Sequence, residues 1–285
     1  MQPSHSAQLQ DFFEAHERIA VLTGAGCSTA SGIPEYRDDN GEWKHARPVQ
    51  YSDFLNAAAT RQRYWARSFS GWQRIAAAQP NAAHRALAAL DTAGRISGLI
   101  TQNVDNLHRR AGSRAVIDLH GILERVRCLS CSDISRRADH QQRLQDENPH
   151  WTAEVGELRP DGDVELGGAS LATFKVPDCR LCGGLLKPDV VFFGETVPAE
   201  RVQESQSLIA DSDALLVVGS SLMVFSGFRF VRQARAAGKT IAILNRGKTR
   251  ADDLADLRIN EDCAAVLAHC ANMPADPVRT AGQRG

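Results

Sequence analysis

The sequence lacks the features that mark membrane-spanning, secreted and nucleic-acid-binding proteins. No stretch approaches the roughly 18 consecutive apolar residues that a membrane-spanning helix needs. The first residues show no basic region followed by an apolar run, so we expect no secretory signal. Lys and Arg number 33 against 34 Asp and Glu, and the net charge of −1 argues against a nucleic-acid or membrane partner. Internal repeats and low-complexity tracts are also absent from the sequence.

The cysteines do not follow the pattern of a disulfide framework. The chain has seven of them, and four stand in two Cys-x-x-Cys pairs, Cys128 with Cys131 and Cys179 with Cys182. An odd number, three, remains outside these pairs. Because secreted domains stapled by disulfides carry an even set, this usage favours a reducing compartment and a cytoplasmic location.

The two cysteine pairs predict a structural zinc site. Each Cys-x-x-Cys turn directs two sulfurs at one point, and four thiolates complete a tetrahedral shell with no open position for chemistry. The segment between the pairs, residues 132–178, is far longer than the roughly 15–20 residues of a compact zinc ribbon. We therefore expect an inserted loop from Asp139 to about Gly168, surface-exposed and mobile because it is polar and rich in turn residues.

Short apolar runs that end in Gly, Asn, Ser or Asp recur along the chain and predict buried parallel strands alternating with helices. The runs are Ile19–Thr23, Ile96–Thr101, 116–119, 189–193, 214–219 and 240–245, with helical segments at 81–93 and 228–237. Residues 36–80 are aromatic and Arg-rich and indicate helices and loops. The prediction is an α/β fold whose ligands bind beyond the carboxyl ends of the strands.

The first such strand end carries a glycine-rich turn. Gly24, Ala25, Gly26 and Ser28 follow the run Ile19–Thr23 and precede a probable helix, an arrangement that lets backbone N–H groups approach a pyrophosphate. Position 29 is Thr where the dinucleotide motif has a third Gly, and no acidic residue ends a second strand about twenty residues on. A turn that serves only the fold is the alternative.

Two further strand ends carry polar side chains. Gln102, Asn103 and Asp105 follow the run Ile96–Thr101 and are suitable partners for a ribose and a carboxamide, although capping of a helix is an alternative role. His120 ends the next run and precedes a glycine, so it can exchange a proton beside a substrate. Gly219, Ser220, Ser221, Asn245 and Arg246 follow later runs and offer hydroxyl, amide and cationic groups to phosphate and ribose.

The run from Lys187 to Glu195 reads as an apolar wall followed by an exposed backbone edge. An extended peptide could add to this edge as a strand. The alternative is an ordinary core strand, which we accept for Val190 and Phe192.

Together these segments resemble the sirtuins, the NAD-dependent protein-lysine deacylases. The resemblance runs from about Ile19 to Cys263 through GAGCSTASGIPEYR, TQNVDNLHRRAG, LHG, the four cysteines, KPDVVFFGE, VGSSLMVFSG and ILNRGKTRADD. The text RQRYWARSFSGW and the long cysteine insert are similar to the class II branch, in a bacterial-type form without a presequence. The resemblance implies a Rossmann-like NAD-binding domain formed by residues 1–36, 81–123 and 186–285. It also implies a smaller domain formed by a helical module, 37–80, and a zinc module, 124–185.

The resemblance also implies roles for individual residues. His120 would be the general base and Asn103 a second catalytic residue that contacts the ribose. The expected NAD-binding residues are Gly24, Ala25, Gly26, Ser28, Tyr36, Arg37, Gln102, Asn103, Asp105, Gly219, Ser220, Ser221, Asn245, Arg246 and Cys263. The expected contacts to an acyl-lysine protein are Tyr64, Arg67, Val191, Phe193, Gly194 and Glu195. The implied products are free lysine, nicotinamide and O-acyl-ADP-ribose.

Tyr64 and Arg67 bear on the acyl group. Their spacing puts both on one face of a helix, where a phenol and a guanidinium could hold a carboxylate, and sirtuins that remove succinyl or glutaryl groups carry a similar Tyr-x-x-Arg. The alternative is that Arg67 pairs with a nearby acid and Tyr64 lies in the core.

Other functions remain open at this point. Protein mono-ADP-ribosyl transfer uses the same first step as deacylation. A hydride-transferring dehydrogenase is disfavoured by the missing third glycine and the absent acidic clamp on the ribose. A zinc-ribbon module that binds nucleic acid is disfavoured by the acidic residues beside the cysteines.

Overall fold

The computed structural model describes residues 4–44, 47–167, 171–271 and 273. The α-helices in these ranges are α1 (His5–Ala15), α2 (Tyr51–Asn56), α3 (Ala58–Ala77), α4 (Ala82–Thr92), α5 (Leu107–Arg110), α6 (Arg137–Glu147), α7 (Ala199–Asp211), α8 (Phe225–Ala236) and α9 (Cys263–Ala268). The strands are β1 (Ile19–Thr23), β2 (Ile96–Thr101), β3 (Val116–Asp118), β4 (Gly121–Cys128), β5 (Ile134–Arg136), β6 (Glu154–Leu158), β7 (Val164–Gly167), β8 (Leu186–Val190), β9 (Ala214–Val218), β10 (Thr240–Leu244) and β11 (Leu257–Ile259).

Six strands form one parallel sheet in the order β11-β10-β9-β1-β2-β3. The chain builds outward from β1 in one direction through β2 and β3, and in the other through β9, β10 and β11. The strand order therefore reverses between β1 and β9. In a doubly wound sheet this reversal opens a crevice at the carboxyl ends of the two strands, and ligands bind there.

The strands of this sheet are buried on both faces. Ile19 and Val21 of β1 contribute to one hydrophobic core with α1, α4 and α9, whereas Ala20 and Leu22 contribute to a second core on the opposite face with α7 and α8. Alternate side chains point to opposite faces of a strand, so a continuous apolar run is what a sheet covered on both sides requires. The prediction of an α/β fold with a Rossmann-like parallel sheet is confirmed.

Helix α4 shows how local sequence sets an element's start. The side chain of Asn81 accepts hydrogen bonds from the backbone N–H groups of Ala83 and His84, and the His84 ring accepts one from the Asn81 N–H in return. These contacts satisfy N–H groups that a helix start leaves without partners. The predicted segment 81–93 consists of this helix and its two caps.

The prediction that 189–193 belongs to the parallel sheet is wrong. The strand in this region is β8, which begins earlier, at Leu186, and pairs antiparallel with β4 in a separate three-stranded sheet of order β5-β4-β8. Residues 191–193 continue beyond β8 without strand pairing to β4. Phe192 belongs to a third hydrophobic core, which also contains Phe54, Tyr64 and Trp65, whereas Val191 packs against the second core.

The smaller domain is built on this third core. It combines the β5-β4-β8 sheet with α2, α3, α6 and the β6-β7 hairpin. The three-stranded sheet combines residues that were predicted to belong to different domains. Its strand β4 begins at Gly121, before the predicted boundary at 123/124, and β8 begins at Leu186, after the predicted boundary at 185/186. The domain boundaries themselves stay a prediction. Helix α3 has 20 residues, but across the described part of the chain no helix is both long and apolar enough to cross a membrane.

The insert predicted as a mobile surface loop from Asp139 to Gly168 is instead folded and partly buried. It contains most of α6 and the antiparallel hairpin β6-β7; Gly168 lies outside the described residues. The buried guanidinium of Arg137, at the start of α6, lies 5.4 Å from the ring centre of Trp65 and 4.9 Å from that of Trp72. These cation–π contacts join α6 to α3. They could not be predicted from the polar sequence of α6.

Candidate active site

A cavity of about 500 Å³ lies at the carboxyl ends of β1, β2, β9 and β10 and continues toward the smaller domain. Volumes of this size are typical of ligand sites. The predicted residues that line it are Gly24, Ala25, Gly26, Ser28, Tyr36, Arg37, Tyr64, Gln102, Asn103, Asp105, His120, Val191, Phe193, Gly194, Glu195, Gly219, Ser220, Ser221, Asn245 and Arg246. Cys263 lines an adjoining cavity of about 470 Å³ that shares Gly26, Gly219, Asn245 and Arg246 with the first. Arg67 lines neither.

The glycine-rich turn is held against the loop that follows β9. The Gly26 N–H donates to the carbonyl oxygen of Gly219 over 2.8 Å, and the Gly24 N–H donates to that of Val218 over 3.1 Å. A Cβ on Gly24 would lie 2.7 Å from the Cβ of Ser220, and one on Gly26 would lie 3.0 Å from the Gly219 oxygen. Both glycines are thus required by backbone contact between the two loops, and the turn they form fits a pyrophosphate.

Ser28, Asn103 and Asp105 form one hydrogen-bond network at the cavity floor. Ser28 Oγ donates to Asp105 Oδ2 over 2.7 Å, while Asn103 Nδ2 donates to Ser28 Oγ over 3.1 Å and to the Gly24 carbonyl over 2.9 Å. Asp105 Oδ1 also accepts from the Leu107 N–H over 2.9 Å. Burial raises the pKa of the Asp105 carboxyl, and the bonds from Leu107 and Ser28 oppose that rise. Asp105 therefore both caps α5 and faces the cavity.

Gln102 connects the β2 end to the β9 end. Its backbone N–H donates to the Thr23 carbonyl over 3.0 Å, and its side-chain oxygen Oε1 accepts from Ser220 Oγ over 2.7 Å. The side chain is thus fixed in the cavity wall, with its amide group available for a ribose.

His120 lies where β3 meets β4. Its Nδ1 is 2.9 Å from the carbonyl oxygen of Gln102, and its Nε2 is 2.8 Å from Ser226 Oγ. Burial lowers the pKa of His120 to about 4, so the ring is neutral at pH 7 and can accept a proton. The chain reverses sharply at Gly121, whose φ of +85° is accessible to glycine at no steric cost.

The segment after β8 forms the opposite wall. The Val191 N–H donates to the His120 carbonyl, and the Phe193 carbonyl accepts from the Tyr51 N–H, both over 2.8 Å. Phe193 also contacts Tyr36 and Trp43 edge to face, at 6.0 and 5.6 Å between ring centres. Because Tyr51 occupies the Phe193 carbonyl, the edge open to an extended peptide is shorter than the whole predicted run.

Glu195 and Arg37 are engaged within the protein. The Glu195 carboxylate accepts from the Phe192 N–H over 2.8 Å and from Lys187 Nζ over 3.1 Å. Arg37 donates to the Gly41 carbonyl over 2.7 Å, and its guanidinium carbon lies 4.1 Å from the ring centre of Trp43. Arg37 therefore shapes the loop beside the cavity in addition to any contact with a phosphate.

Tyr64 and Arg67 occupy the same side of α3 but have different surroundings. Tyr64 is buried and lines the cavity. Arg67 Nε lies 3.0 Å from the carboxylate of Asp163 and 2.9 Å from the Val164 carbonyl. Burial, and secondarily the charge of Asp161, raise the pKa of Asp163, and the charge of Arg67 opposes that rise.

Several cavity residues were missing from the sequence-based prediction. Among them are Trp43, Asp161, Ser226, Arg229 and Lys248. Asp161 lies in the insert, at a turn whose sequence predicted a surface loop. Ser226 lies in the segment VGSSLMVFSG. The prediction selected only residues that directly follow a strand, and a loop separates Ser226 from the end of β9, so its contact with His120 could not be predicted.

The four paired cysteines converge on one point. Their sulfurs lie within 4.8 Å of one another, with Cys128 Sγ 3.5 Å from Cys182 Sγ and Cys131 Sγ 3.8 Å from Cys179 Sγ. Zn–S bonds of about 2.3 Å in a tetrahedron place sulfurs roughly 3.8 Å apart. The set fits a structural Zn²⁺.

Comparison with known proteins agrees with this geometry. The model of the Sir2 family matches residues 24–226, a span that includes the glycine-rich turn, His120 and all four cysteines. The chain belongs to the Sir2 family. This confirms the resemblance predicted from the motifs.

Individual relatives of this Sir2 family chain match it over nearly the whole length. It is 54% identical over 276 residues to an NAD-dependent protein deacetylase of Xanthomonas campestris pv. campestris (strain 8004), covering 97% of this chain and 94% of the relative. It is 48% identical over 270 residues to human mitochondrial NAD-dependent protein lipoamidase sirtuin-4, covering 94% and 86% respectively. A solved structure of Sir2 with a p53 peptide and NAD⁺ superposes with a TM-score of 0.75 at 30% identity, covering 91% of this chain and 94% of that one.

We predict that Cys128→Ser releases the metal and destabilises the smaller domain. One ligand fewer leaves an incomplete shell, and the binding free energy of a structural zinc contributes to folding. Metal content by mass spectrometry and a thermal melt measure the two effects. Cys270→Ser, in a cysteine outside the cluster, is the control and should retain one zinc per chain; a well-folded, metal-free Cys128→Ser protein with full activity would contradict the assignment.

We predict that Asp105→Asn weakens nicotinamide binding more than ADP-ribose binding. The carboxylate can accept from a carboxamide, and a hydrogen bond to a charged group contributes roughly 1.5–3 kcal/mol. Burial raises the pKa of this carboxyl, so at a pH above the ordinary Asp pKa the charged side chain makes the folded state less stable. The neutral amide of asparagine avoids this cost, and the melting temperature of the variant should therefore not fall. Titration with each ligand decides the matter, and equal losses for both would make Asp105 a helix cap alone.

Proposed function

We propose that the protein removes acyl groups from protein lysines in an NAD-dependent reaction that yields nicotinamide and O-acyl-ADP-ribose. The observation that carries the proposal is the single cavity that brings together the glycine-rich turn, Asp105 and His120. These groups come from three different strand ends, and each matches its family motif. The relatives named above, deacetylases and a lipoamidase, support the same reaction class.

The residues would divide the work along the cavity. The turn around Gly26 and the adjoining cavity at Cys263 would hold the ADP half of NAD, and Gln102 and Asn103 would hold the ribose. Bound NAD supplies the leaving group and the acceptor of the acyl chain. Ile33, Tyr36 and Val191 line the cavity and would exclude water from the reacting ribose.

His120 would act as the general base. A base must be unprotonated, and the pKa of about 4 keeps the ring neutral over the physiological range. Its position between the β2 end and the β8 segment supports this role, because the base would then lie between the proposed NAD-binding residues and the proposed acyl-lysine contacts Val191, Phe193 and Gly194.

The acyl group is the finer part of the proposal. Tyr64 lines the cavity, and Arg67, three residues further along α3, makes its ion pair with Asp163 through Nε. An acyl chain long enough to pass Tyr64 would reach this pair. A carboxylate at the end of the acyl chain would have to share the Arg67 guanidinium with Asp163. The ion pair would therefore determine how strongly the enzyme prefers neutral or acidic acyl groups.

The proposed partners are acyl-lysine proteins, without nucleic acid or membrane, in the cytoplasm. The near-zero net charge gives no electrostatic footprint for a polyanion, and unpaired cysteines suit a reducing compartment.

The proposal is tested with purified protein, NAD and a panel of acyl-lysine peptides, with detection of products by mass spectrometry. Stoichiometric nicotinamide, free lysine and O-acyl-ADP-ribose are expected for at least one acyl group. ADP-ribose attached to protein in place of O-acyl-ADP-ribose would identify the chain as a mono-ADP-ribosyltransferase instead. A change in absorbance from reduced nicotinamide would indicate a dehydrogenase.

We predict that His120→Ala reduces deacylation by about 10²–10⁴-fold, the usual contribution of a general base, while NAD still binds. Since protonation of the base stops the reaction, activity of the unmodified protein should fall as pH drops through the His120 pKa, below the ordinary histidine value of about 6.5. Steady-state rates across pH and NAD titration measure both effects. The exposed His269→Ala is the control, and unchanged turnover in His120→Ala would place the base elsewhere.

We predict opposite effects for Arg67→Met and Asp163→Asn on the ratio of deglutarylation to deacetylation. The first removes the cation that an acyl carboxylate would need, so the ratio falls. The second removes the competing carboxylate and keeps the cation, so the ratio rises. Rates on glutaryl- and acetyl-lysine peptides of the same sequence measure it, and an unchanged ratio in both variants would make the ion pair purely structural.

A further inference from the structure

The hydrogen bonds of His120 define the protonation of its ring. A carbonyl oxygen can only accept, so the 2.9 Å contact between Nδ1 and the Gln102 carbonyl requires the proton on Nδ1. In a neutral ring Nε2 then carries a lone pair. The 2.8 Å contact between Nε2 and Ser226 Oγ must therefore be a hydrogen bond that the serine hydroxyl donates. The basic atom of His120 is thus occupied by Ser226.

The position of Ser226 is set by close packing. It stands in the first turn of α8, and the next residue, Gly227, has so little space that an added Cβ would lie 2.5 Å from Gln102 Nε2. The backbone carbonyl of Gln102 in turn accepts from His120 Nδ1, and its side-chain oxygen Oε1 accepts from Ser220 Oγ. The start of α8, the β2 end and the imidazole are therefore fixed relative to one another.

This geometry leaves two routes for a substrate proton. Nε2 has one lone pair, so a hydroxyl of the substrate either displaces Ser226 or delivers its proton through Ser226. His120 and Ser226 both line the cavity, and displacement would break the 2.8 Å hydrogen bond between Ser226 Oγ and His120 Nε2. The second route keeps that hydrogen bond.

We propose that Ser226 relays the proton from the ribose hydroxyl of NAD to His120, as a further catalytic residue of the proposed deacylation, on which this inference rests. The ribose O–H bond breaks and its proton joins Ser226 Oγ. In the same step the original Ser226 proton passes to His120 Nε2. The ribose oxygen becomes the nucleophile, the serine is regenerated, and the imidazole becomes an imidazolium.

Ser226→Ala and Ser226→Thr form a matched pair that tests the relay, because threonine keeps the hydroxyl. For Ser226→Ala we expect turnover on acyl-lysine to fall roughly ten- to hundredfold, less than the roughly 10²–10⁴-fold that general base catalysis contributes as a whole. Ser226→Thr should recover most of the loss. NAD binding and nicotinamide exchange, which precede the base step, should be unchanged in both. Equal or faster turnover in Ser226→Ala would mean that the serine is displaced, and equal losses in both variants, or a parallel loss of exchange, would reduce it to a packing role.

A readout without substrate separates this inference from the proposed function. In protein labelled with ¹⁵N-histidine, His120 should show a protonated Nδ1 and a hydrogen-bonded Nε2, and Ser226→Ala should shift the Nε2 resonance alone. If no acyl peptide is turned over but this shift appears, the proposed function fails and the Ser226–His120 bond stands. An Nε2 resonance that is unchanged in Ser226→Ala would overturn the relay even in an active deacylase.

Discussion

The backbone contact between the ends of β1 and β9 is the constraint on which the site depends. Gly24 and Gly26 approach Gly219 and Ser220 so closely that no Cβ fits on either glycine without displacing its neighbour. The contact closes the point where the strand order reverses, and it positions Ser28 over Asp105 and Ser220 over Gln102. Polar groups from separate strands thus meet in one cavity because two loops touch through their main chains. The glycines are needed for this contact and also line the cavity, so the two alternatives for this turn do not exclude each other.

A second contact joins the larger sheet to the smaller domain. His120 ends the β3 segment, and the next residue, Gly121, begins β4 of the three-stranded sheet. A Cβ at Gly121 would collide with the carbonyl oxygen of Asp189, and the Val191 N–H bonds to the His120 carbonyl. The imidazole therefore stands at the junction of two sheets. Neither domain alone would fix both its ring and the cavity wall formed by the segment after β8.

The strands of the parallel sheet and the polar residues at their ends could be predicted from sequence for one physical reason. A strand buried on both faces is a continuous apolar run, and it must end where the chain turns, so Gly, Asn and Asp mark its end. The same reasoning misplaced β8, because Phe192 packs in the third core and Val191 packs against the second, and neither is paired to β4 as part of a strand. It also missed Ser226, whose contact with His120 depends on where α8 starts in space.

The insert shows a different limit. Its Pro160-Asp161-Gly162 sequence correctly indicates a turn, but a turn can lie at a buried hairpin tip as well as in a surface loop. Gly71 of α3 packs directly against the Gly162 carbonyl, and Arg137 lies between two tryptophans of α3 without an acidic partner among its hydrogen bonds. Such contacts depend on surfaces from distant parts of the chain. No local pattern of residue types encodes them.

These contacts connect the zinc cluster to the acyl end of the cavity. Cys131 and Cys179 flank the insert, and their sulfurs meet at 3.8 Å, so a bound metal would close the long loop between them and reduce its conformational freedom. Within that closed loop α6 packs on α3, and the hairpin tip brings Asp161 to the cavity wall and Asp163 to Arg67. A metal at the four cysteines would thereby hold the ion pair of Arg67 and Asp163 in place, although it would contact neither NAD nor the acyl group in the proposed reaction. Loss of zinc should consequently disturb acyl selectivity before it disturbs the ADP half of the NAD site, because the latter is built by main-chain contacts in the other domain.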